Sequence, residues 1–227
     1  MERQKASKII GEHLKNNPNY SFDEHPMFIK GIDFGGISFK DCELDFPYTF
    51  YNCDFSDCNF DNCVVSDSFT CGQCDFSRAS FKNVHLSHVN FVDCKFDQTD
   101  FSTSWFQCSP SQGWDLSTAK IDSIWKDLFE VLALASWEIP DLEDAIAKGK
   151  INGLIYEDPD GCGCLNGTLT KAAKKRLDVE AVDDLDIAKN ERRPIEIFFW
   201  SIRPGDTPEN NWKLKAVMEK IQEFKQK

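Results

Sequence analysis

A large apolar residue, usually phenylalanine, recurs at intervals of five residues through the first half of this chain. This spacing matches neither the 3.6-residue period of an α-helix nor the alternation of a strand. The residue two places earlier is small or carries a thiol, as in Cys53-Asp54-Phe55 and Cys58-Asn59-Phe60. A short fixed period predicts a solenoid, in which each unit buries its apolar residues by stacking on its neighbours. The predicted central series is Phe34, Phe39, Leu44, Phe50, Phe55, Phe60, Val65, Thr70, Phe76, Phe81, Leu86, Phe91, Phe96, Phe101 and Phe106.

The order of small residue, Asp or Asn, large apolar residue and two polar residues resembles the pentapeptide-repeat family over about residues 32–108. The resemblance implies a right-handed, four-sided β-helix with four pentapeptides per turn and with the central and small positions pointing inward. Such a β-helix has just under four turns over this length and is about 18 Å long. We therefore predict a mixed β and α fold: an N-terminal capping helix and lead-in at 1–31, a short β-helix at 32–110, and a small α-rich domain at 111–227.

Four central residues per turn of the β-helix predict stacked interior columns, with one-residue slips in the register before Phe50 and before Phe76. One predicted column is Phe34, Phe55, Phe76 and Phe96, and the next is Phe39, Phe60, Phe81 and Phe101. Cysteines at the small position should stack about 4.8 Å apart, whereas a disulfide needs its Cβ atoms about 3.8 Å apart. We expect free, buried thiols and a reducing cytoplasm, not a redox or metal site, for Cys42, Cys53, Cys58, Cys63, Cys74 and Cys94.

The negative charge of the chain is concentrated in the repeats. Of the net charge of −12, residues 33–110 contribute −8, from 12 acidic and 4 basic residues. This excess disfavours direct nucleic-acid binding, which needs Lys and Arg, and favours a basic protein partner. We define the acidic face as Asp33, Asp54 and Asp75, predicted to form one outward column, with Asp57 and Asp97 nearby. The alternative is that these residues only serve the repeat pattern.

A second surface feature is an apolar patch predicted to point outward: Tyr51, Val64, Phe69, Val92 and Trp105. Clustered exposed apolar residues indicate contact with another surface, either the C-terminal domain, a partner or a second copy of the chain. The sequence has no run of about 18 apolar residues, so we expect no membrane span. The charged N-terminus also leads into no apolar segment, so we expect no signal peptide.

The second half lacks the five-residue period. Ser117 is predicted to cap a helix, Thr207 to cap a final helix, and residues 195–202 form either a strand or a helix. A glycine-rich loop contains the candidate residues Cys162, Cys164, Asn166 and Thr168. All four histidines precede residue 89, so the loop lacks the local partners of a zinc site or a nucleophilic cysteine, and we expect no metal and no cofactor.

Resemblance also provides the functional hypothesis. The pentapeptide-repeat family includes quinolone-resistance and gyrase-inhibiting members whose acidic coils imitate DNA, and residues 154–227 resemble uncharacterised bacteriophage proteins. These likenesses imply a non-enzymatic inhibitor of a host nucleic-acid-binding or defence protein, acting as a partial DNA mimic. Two alternatives stay open: an enzyme or ligand-binding domain with its site at Cys162–Thr168, and a self-associating scaffold.

Overall fold

The computed structural model describes residues 4–17, 28–46, 48–65, 69–86, 89–106, 114–154, 163–179 and 193–227. The chain divides into two compact units, Met1–Ser123 and Ile124–Lys227. None of the helices in these described segments combines the length and apolar character needed to cross a membrane.

Short parallel strands build the first unit. They are β1 (Phe28–Lys30), β2 (Glu43–Leu44), β3 (Thr49–Tyr51), β4 (Val64–Val65), β5 (Phe69–Gly72), β6 (His85–Leu86), β7 (Val89–Val92) and β8 (Trp105–Phe106). One sheet has the order β1-β3-β5-β7, and β2 pairs with β4 and β6 with β8. Single parallel bridges complete two further lines of pairing, one through Asp33, Asp54, Asp75, Lys95 and Asp115 and one through Ser38, Asn59, Ser80, Asp100 and Lys120. Together these parallel lines of pairing form the predicted repeat β-helix, called the coil below.

The pairing extends past both limits predicted for the coil, 32 and 110. It begins at β1 and reaches Lys120, which pairs with Asp100. The sequence pattern was interrupted at residues 107–113, but Trp114-Asp115-Leu116-Ser117-Thr118 restores the order of the repeat. The prediction that Ser117 caps a helix was therefore wrong, because Ser117 lies in a turn of the coil and the next helix begins at Asp122.

The two predicted phenylalanine columns are confirmed. Phe76 stacks on Phe55 with ring centroids 5.1 Å apart and planes 4° from parallel, and on Phe96 at 5.6 Å and 11°. In the next column Phe60 stacks on Phe81 at 4.5 Å and 8°. Fully buried rings one strand spacing apart make continuous apolar stacks, which explains why each unit needs its neighbours. The residues of the two columns, Phe34, Phe55, Phe76, Phe96, Phe39, Phe60, Phe81 and Phe101, are at most 1% exposed.

The predicted register was wrong in one turn of the coil. Phe69 is fully buried and Thr70 is not, because Cys71 pairs with Phe50 and Phe91 and occupies the central position. The extra residue lies between Val65 and Cys71, one unit earlier than predicted. Cys71 is small for a central residue, and Phe69 fills the interior from the neighbouring position, 4.8 Å from the ring of Phe46. Phe69 therefore does not belong to the apolar patch.

The small positions have a second role besides saving space. Side chains at these positions donate hydrogen bonds to the carbonyl of a central residue in the preceding turn of the coil. Cys58 Sγ donates to Phe34 O at 3.1 Å, and Thr99 Oγ1 donates to Phe76 O at 2.8 Å. Buried carbonyls need partners, so a thiol or hydroxyl suits this position better than alanine does. The other donors of this kind include Cys53, Cys63, Cys94, Ser104 and the indole of Trp114.

The predicted N-terminal helix is confirmed as α1 (Ala6–Lys15), which buries Ala6, Ile10 and Leu14. A coil residue caps it: Asp45 accepts hydrogen bonds from Ser7 N at 3.0 Å and from Ser7 Oγ at 2.8 Å. A carboxylate at a helix N-terminus also interacts favourably with the helix dipole.

Helices form the second unit. They are α2 (Asp122–Leu134), a 3-10 turn (Ser136–Glu138), α3 (Ile139–Ala147), α4 (Leu165–Leu177), α5 (Pro194–Phe199) and α6 (Trp212–Lys225). Residues 195–202, predicted as strand or helix, are mostly helical. Asn211 caps α6 by accepting from Lys213 N, so the predicted cap at Thr207 was wrong. α4 begins inside the predicted glycine-rich loop.

Candidate functional site on the acidic face of the coil

The acidic column, defined as Asp33, Asp54 and Asp75, lies on one outward line of the coil, as predicted. Asp54 bridges to both of the other residues. Each Oδ1 accepts the backbone N–H two residues later, at 2.7 Å for Asp33 and Asp54 and 2.8 Å for Asp75. Each of these hydrogen bonds closes a local turn of the backbone. The three aspartates therefore do serve the repeat pattern, which was the alternative that the sequence left open. These hydrogen bonds use Oδ1. Within the described residues, Oδ2 of Asp33 and Asp54 forms no ion pair and is available to a partner, whereas Oδ2 of Asp75 lies 3.9 Å from Lys95 Nζ.

The acidic column ends after three rungs. The next turn of the coil places Lys95 on the same line, with Nζ 3.9 Å from Asp75 Oδ2. The sequence prediction named the acidic residues of this line but not the lysine that follows them. Three carboxylates on rungs about 4.8 Å apart span about 10 Å.

Asp57 and Asp97 lie on the corner beside the column, and within the described residues Asp57 alone of the two forms an ion pair. Arg78 donates to Asp57 through Nε at 2.9 Å and Nη2 at 2.7 Å. This pairing lowers the pKa of Asp57 and raises the pKa of Arg78, chiefly through the hydrogen bonds between their side chains. Asp97 is exposed and accepts from Thr118 Oγ1 at 3.3 Å. Asp57 is thus largely neutralised, and Asp97 contributes free charge.

The neighbouring line of the coil is electrically mixed. Asp100 lies 3.1 Å from Lys82 Nζ and 3.7 Å from Lys120 Nζ. Asp61 accepts from Ser80 Oγ at 2.5 Å and from Lys82 N at 2.9 Å. Among the described residues, the charge of the acidic face that has no ion pair therefore lies on Asp33, Asp54 and Asp97, and Asp75 faces Lys95.

Four of the five residues predicted for the apolar patch are not buried. Val64 and Trp105 are exposed, while Tyr51 and Val92 are half-buried. The edge of the patch borders a groove of about 590 Å³ lined by Asp41, Asn62, Cys63, Val64, Val65, Asn83 and His85. The groove is more polar than the patch, and its amides hydrogen-bond along the coil, Asn83 to Asn62 and Asn62 to Asp41.

The described residues 164–168 of the predicted glycine-rich loop form the N-terminal end of α4. Cys162 lies outside the described residues. Cys164 caps α4, its Sγ accepting from Gly167 N at 3.4 Å, and Asn166 and Thr168 belong to the first turn of the helix. Burial raises the pKa of Cys164 to about 12. A protonated, buried thiol is a poor nucleophile, so the geometry favours a structural role.

Buried charged residues in the second unit escaped the sequence interpretation, among them Glu196 and Lys213. Glu196 Oε1 accepts from Asn166 N at 2.7 Å, and burial raises the pKa of Glu196 to about 7. Lys213 Nζ donates to Phe198 O at 3.2 Å and to Ser201 Oγ at 2.7 Å, and burial lowers its pKa to about 7. Glu196 had a visible signal, because it is the one acidic residue in the apolar run of residues 195–202.

No metal site emerges from the part of the chain that the structure describes, where no three His, Cys, Asp or Glu side chains converge suitably. His85 is exposed on β6, and His88 falls outside the described ranges.

The match to a family model bears on the coil alone. Residues 70–106 match the family model described as Pentapeptide repeats, in eight copies. No curated protein matches the chain in sequence. The family match leaves residues 154–227 untouched, so their likeness to bacteriophage proteins stays a prediction.

Among solved structures, the chain is similar to QnrB1, a plasmid-mediated fluoroquinolone resistance protein. The match to trypsin-treated QnrB1 has 19% identity and a TM-score of 0.23, and covers 35% of this chain and 46% of that one. The match to full-length QnrB1 has 24% identity and a TM-score of 0.22, and covers 39% of each chain. The chain thus spans less than half of QnrB1 in either comparison.

Proposed function

We propose that this chain is a non-enzymatic interaction protein that binds a basic protein surface through its acidic column. The observation that carries the proposal is the geometry of Asp33, Asp54 and Asp75. Their Oδ1 atoms are fixed by backbone hydrogen bonds, so the three carboxylates are held in place on successive rungs of one line. Preorganised charges lose little entropy on binding and steer a charged partner during approach.

The kind of partner follows from charge and length. A line of carboxylates suits the Lys and Arg side chains of a surface that binds nucleic acid. The three carboxylates span about 10 Å, which corresponds to about three base pairs of rise. The column is therefore a partial DNA mimic that covers one small basic site. In its finer form, the proposal is that this chain is a phage or mobile-element protein and that it inhibits a host nucleic-acid-binding or defence enzyme.

The experiment neutralises the column without breaking its turns. Asp33→Asn, Asp54→Asn and Asp75→Asn together keep an oxygen that can accept the backbone N–H but remove three charges. A matched control is Glu12→Gln, Asp93→Asn and Glu219→Gln, which removes three exposed charges elsewhere. Both proteins and the wild type are used to capture partners from nuclease-treated cell extract across a salt series.

We expect the column variant alone to lose the captured protein, and duplex DNA to displace that protein from the wild type. Equal capture by the column variant and the control would remove the column from the mechanism. Capture that duplex DNA leaves unaffected would retain a basic partner but overturn the DNA mimicry.

A further inference from the structure

The first two turns of α4 carry two buried polar atoms that have no hydrogen-bond partner among the described residues. They are Oδ1 of Asn166 and Oγ1 of Thr170. The two residues are 2% and 4% exposed, so bulk solvent does not satisfy these atoms. Unpaired buried polar atoms destabilise a fold, and native proteins rarely keep two of them side by side. A polar occupant would satisfy both.

The polar groups at the start of α4 are already paired with one another. The N–H of Asn166 donates to Oε1 of Glu196 at 2.7 Å, and the N–H of Gly167 donates to Sγ of Cys164 at 3.4 Å. The N–H of Thr168 donates to the carbonyl of Cys164 at 2.9 Å. Groups of the chain itself therefore occupy the helix N-terminus, which would otherwise attract an anion. The two unpaired oxygens define a separate site on the side of the helix.

The spacing of the two residues suits one water molecule. Residues four apart on a helix lie on the same face, with Cβ atoms about 5–6 Å apart. A water that makes two hydrogen bonds of about 2.8 Å spans up to about 5.6 Å. It can donate to Oδ1 of Asn166, which only accepts, and it can donate to or accept from the hydroxyl of Thr170. A calcium ion fits less well, because it takes about six to eight oxygen ligands.

We propose that Oδ1 of Asn166 and Oγ1 of Thr170 bind one water molecule in the interior of the second unit. The water links the first and second turns of α4 through their side chains and satisfies both unpaired atoms. It can exchange with bulk solvent only when the packing around α4 opens, so its residence time is long. The site does not use the acidic column and is independent of the proposed function.

The first experiment counts long-lived waters in the full chain by ¹⁷O magnetic relaxation dispersion, which follows whole water molecules and is insensitive to exchange of hydroxyl or carboxyl protons. The variant Asn166→Leu with Thr170→Val removes both polar atoms with little change in shape. Thr170→Ser keeps the hydroxyl and is the matched control. We expect the wild type and the control to hold one long-lived water more than the double variant. Equal dispersion in the wild type and the double variant would overturn the proposal.

The second experiment is urea unfolding, followed by hydrogen exchange of the amides of α4. Asn166→Leu and Thr170→Val alone each leave one polar atom and its water short of a partner, so each should raise the unfolding equilibrium constant about five- to thirtyfold. Removing both atoms together should be nearly neutral.

A stabilising Thr170→Val would mean that the hydroxyl has no water partner, which would overturn the proposal. Stabilisation of the wild type, but not of the double variant, by potassium or ammonium chloride over N-methylglucamine chloride would assign the site to a cation and also overturn it. If the double variant does not fold, Thr170→Val takes its place against Thr170→Ser in the count of long-lived waters.

Discussion

Lys95 follows Asp75 on the outward line of the coil, one rung later, with its ammonium nitrogen 3.9 Å from Oδ2 of the carboxylate. This pair ends a run of three stacked carboxylates. Like charges on adjacent rungs repel, so a lysine at the fourth position relieves repulsion that a fourth acid would add.

Replacing Lys95 by Glu should lower the free energy of unfolding by about 0.5–1 kcal/mol at low salt, because it extends the stack of like charges. Urea unfolding of the wild type, Lys95→Glu and Lys95→Gln measures the effect. The difference between the two variants should shrink at about 1 M salt, where the Debye length is about 3 Å. A difference that is independent of salt would show that repulsion in the column is not its cause.

Replacing Phe76 by Ala should lower the free energy of unfolding by about 3–5 kcal/mol, because it removes a fully buried ring from the middle of a stack. Phe76→Leu keeps most of the volume and should cost clearly less. Trp105→Ala is the surface control and should change stability by about 0.5 kcal/mol or less, since Trp105 is 46% exposed. Equal losses for Phe76→Ala and Trp105→Ala in chemical denaturation would contradict the interior column.

The thiols of Cys53, Cys58, Cys74 and Cys94 should resist alkylation in the native protein and react once it is denatured, because they are at most 4% exposed. For Cys58, burial raises the pKa from 9.0 to about 12, which by itself lowers the thiolate population about a thousandfold near pH 8. Time-resolved labelling with peptide mass spectrometry locates each modified site. Rapid native labelling of Cys58 would contradict its inward position.

Glu196 should make the second unit less stable as the pH rises from about 4.5 to about 7. Burial raises its folded pKa from 4.5 to about 7, so the folded protein binds the proton more tightly than the unfolded chain does. The stabilisation is complete below pH 4.5 and is lost through the folded pKa, amounting to about 3 kcal/mol. Glu196→Gln should flatten this part of the stability profile, whereas Glu219→Gln, on the exposed side of α6, should leave it unchanged.

Lys213 should act in the adjoining pH range with the opposite slope. Burial lowers its pKa from 10.5 to about 7, so the folded protein binds this proton less tightly than the unfolded chain does. Unfolding free energy should therefore rise between pH 7 and pH 10.5. Lys213→Met should abolish that rise in denaturation curves recorded across the range, and Lys215→Met is the exposed control. Together with Glu196, the lysine predicts a stability minimum near neutral pH, and a maximum there would contradict both assignments.

The repeat was predictable because five-residue spacing constrains which side chains can stack, and the phenylalanine columns followed from it. Phe69 was misplaced because counting by fives cannot locate a single extra residue at a corner. Cys71 is the true central residue, and only its pairing with Phe50 and Phe91 reveals this. The continuation through Leu116 was missed because seven intervening residues hid the period.

The acidic column was predicted from the same periodicity, but its neutralising neighbours were not. Arg78 lies one turn of the coil after Asp57, and Lys95 lies one turn after Asp75. Whether each pair forms an ion pair depends on side-chain geometry. The burial of Glu196 and Lys213 depends on the packing of α4, α5 and α6, for which the sequence offers no comparable period. Cys164 looked like a loop residue because glycines surround it, whereas it caps a helix.

The hydrogen bonds from the small positions to the carbonyls of central residues run from a later turn of the coil to an earlier one, as from Cys58 to Phe34 and from Thr99 to Phe76. During translation the acceptor carbonyl therefore leaves the ribosome before its donor. Each new turn of the coil therefore meets acceptor carbonyls that the preceding turn already presents, and its thiols and hydroxyls can donate to them at once. The coil is thus suited to folding in the direction of its synthesis, beginning at the end that α1 closes.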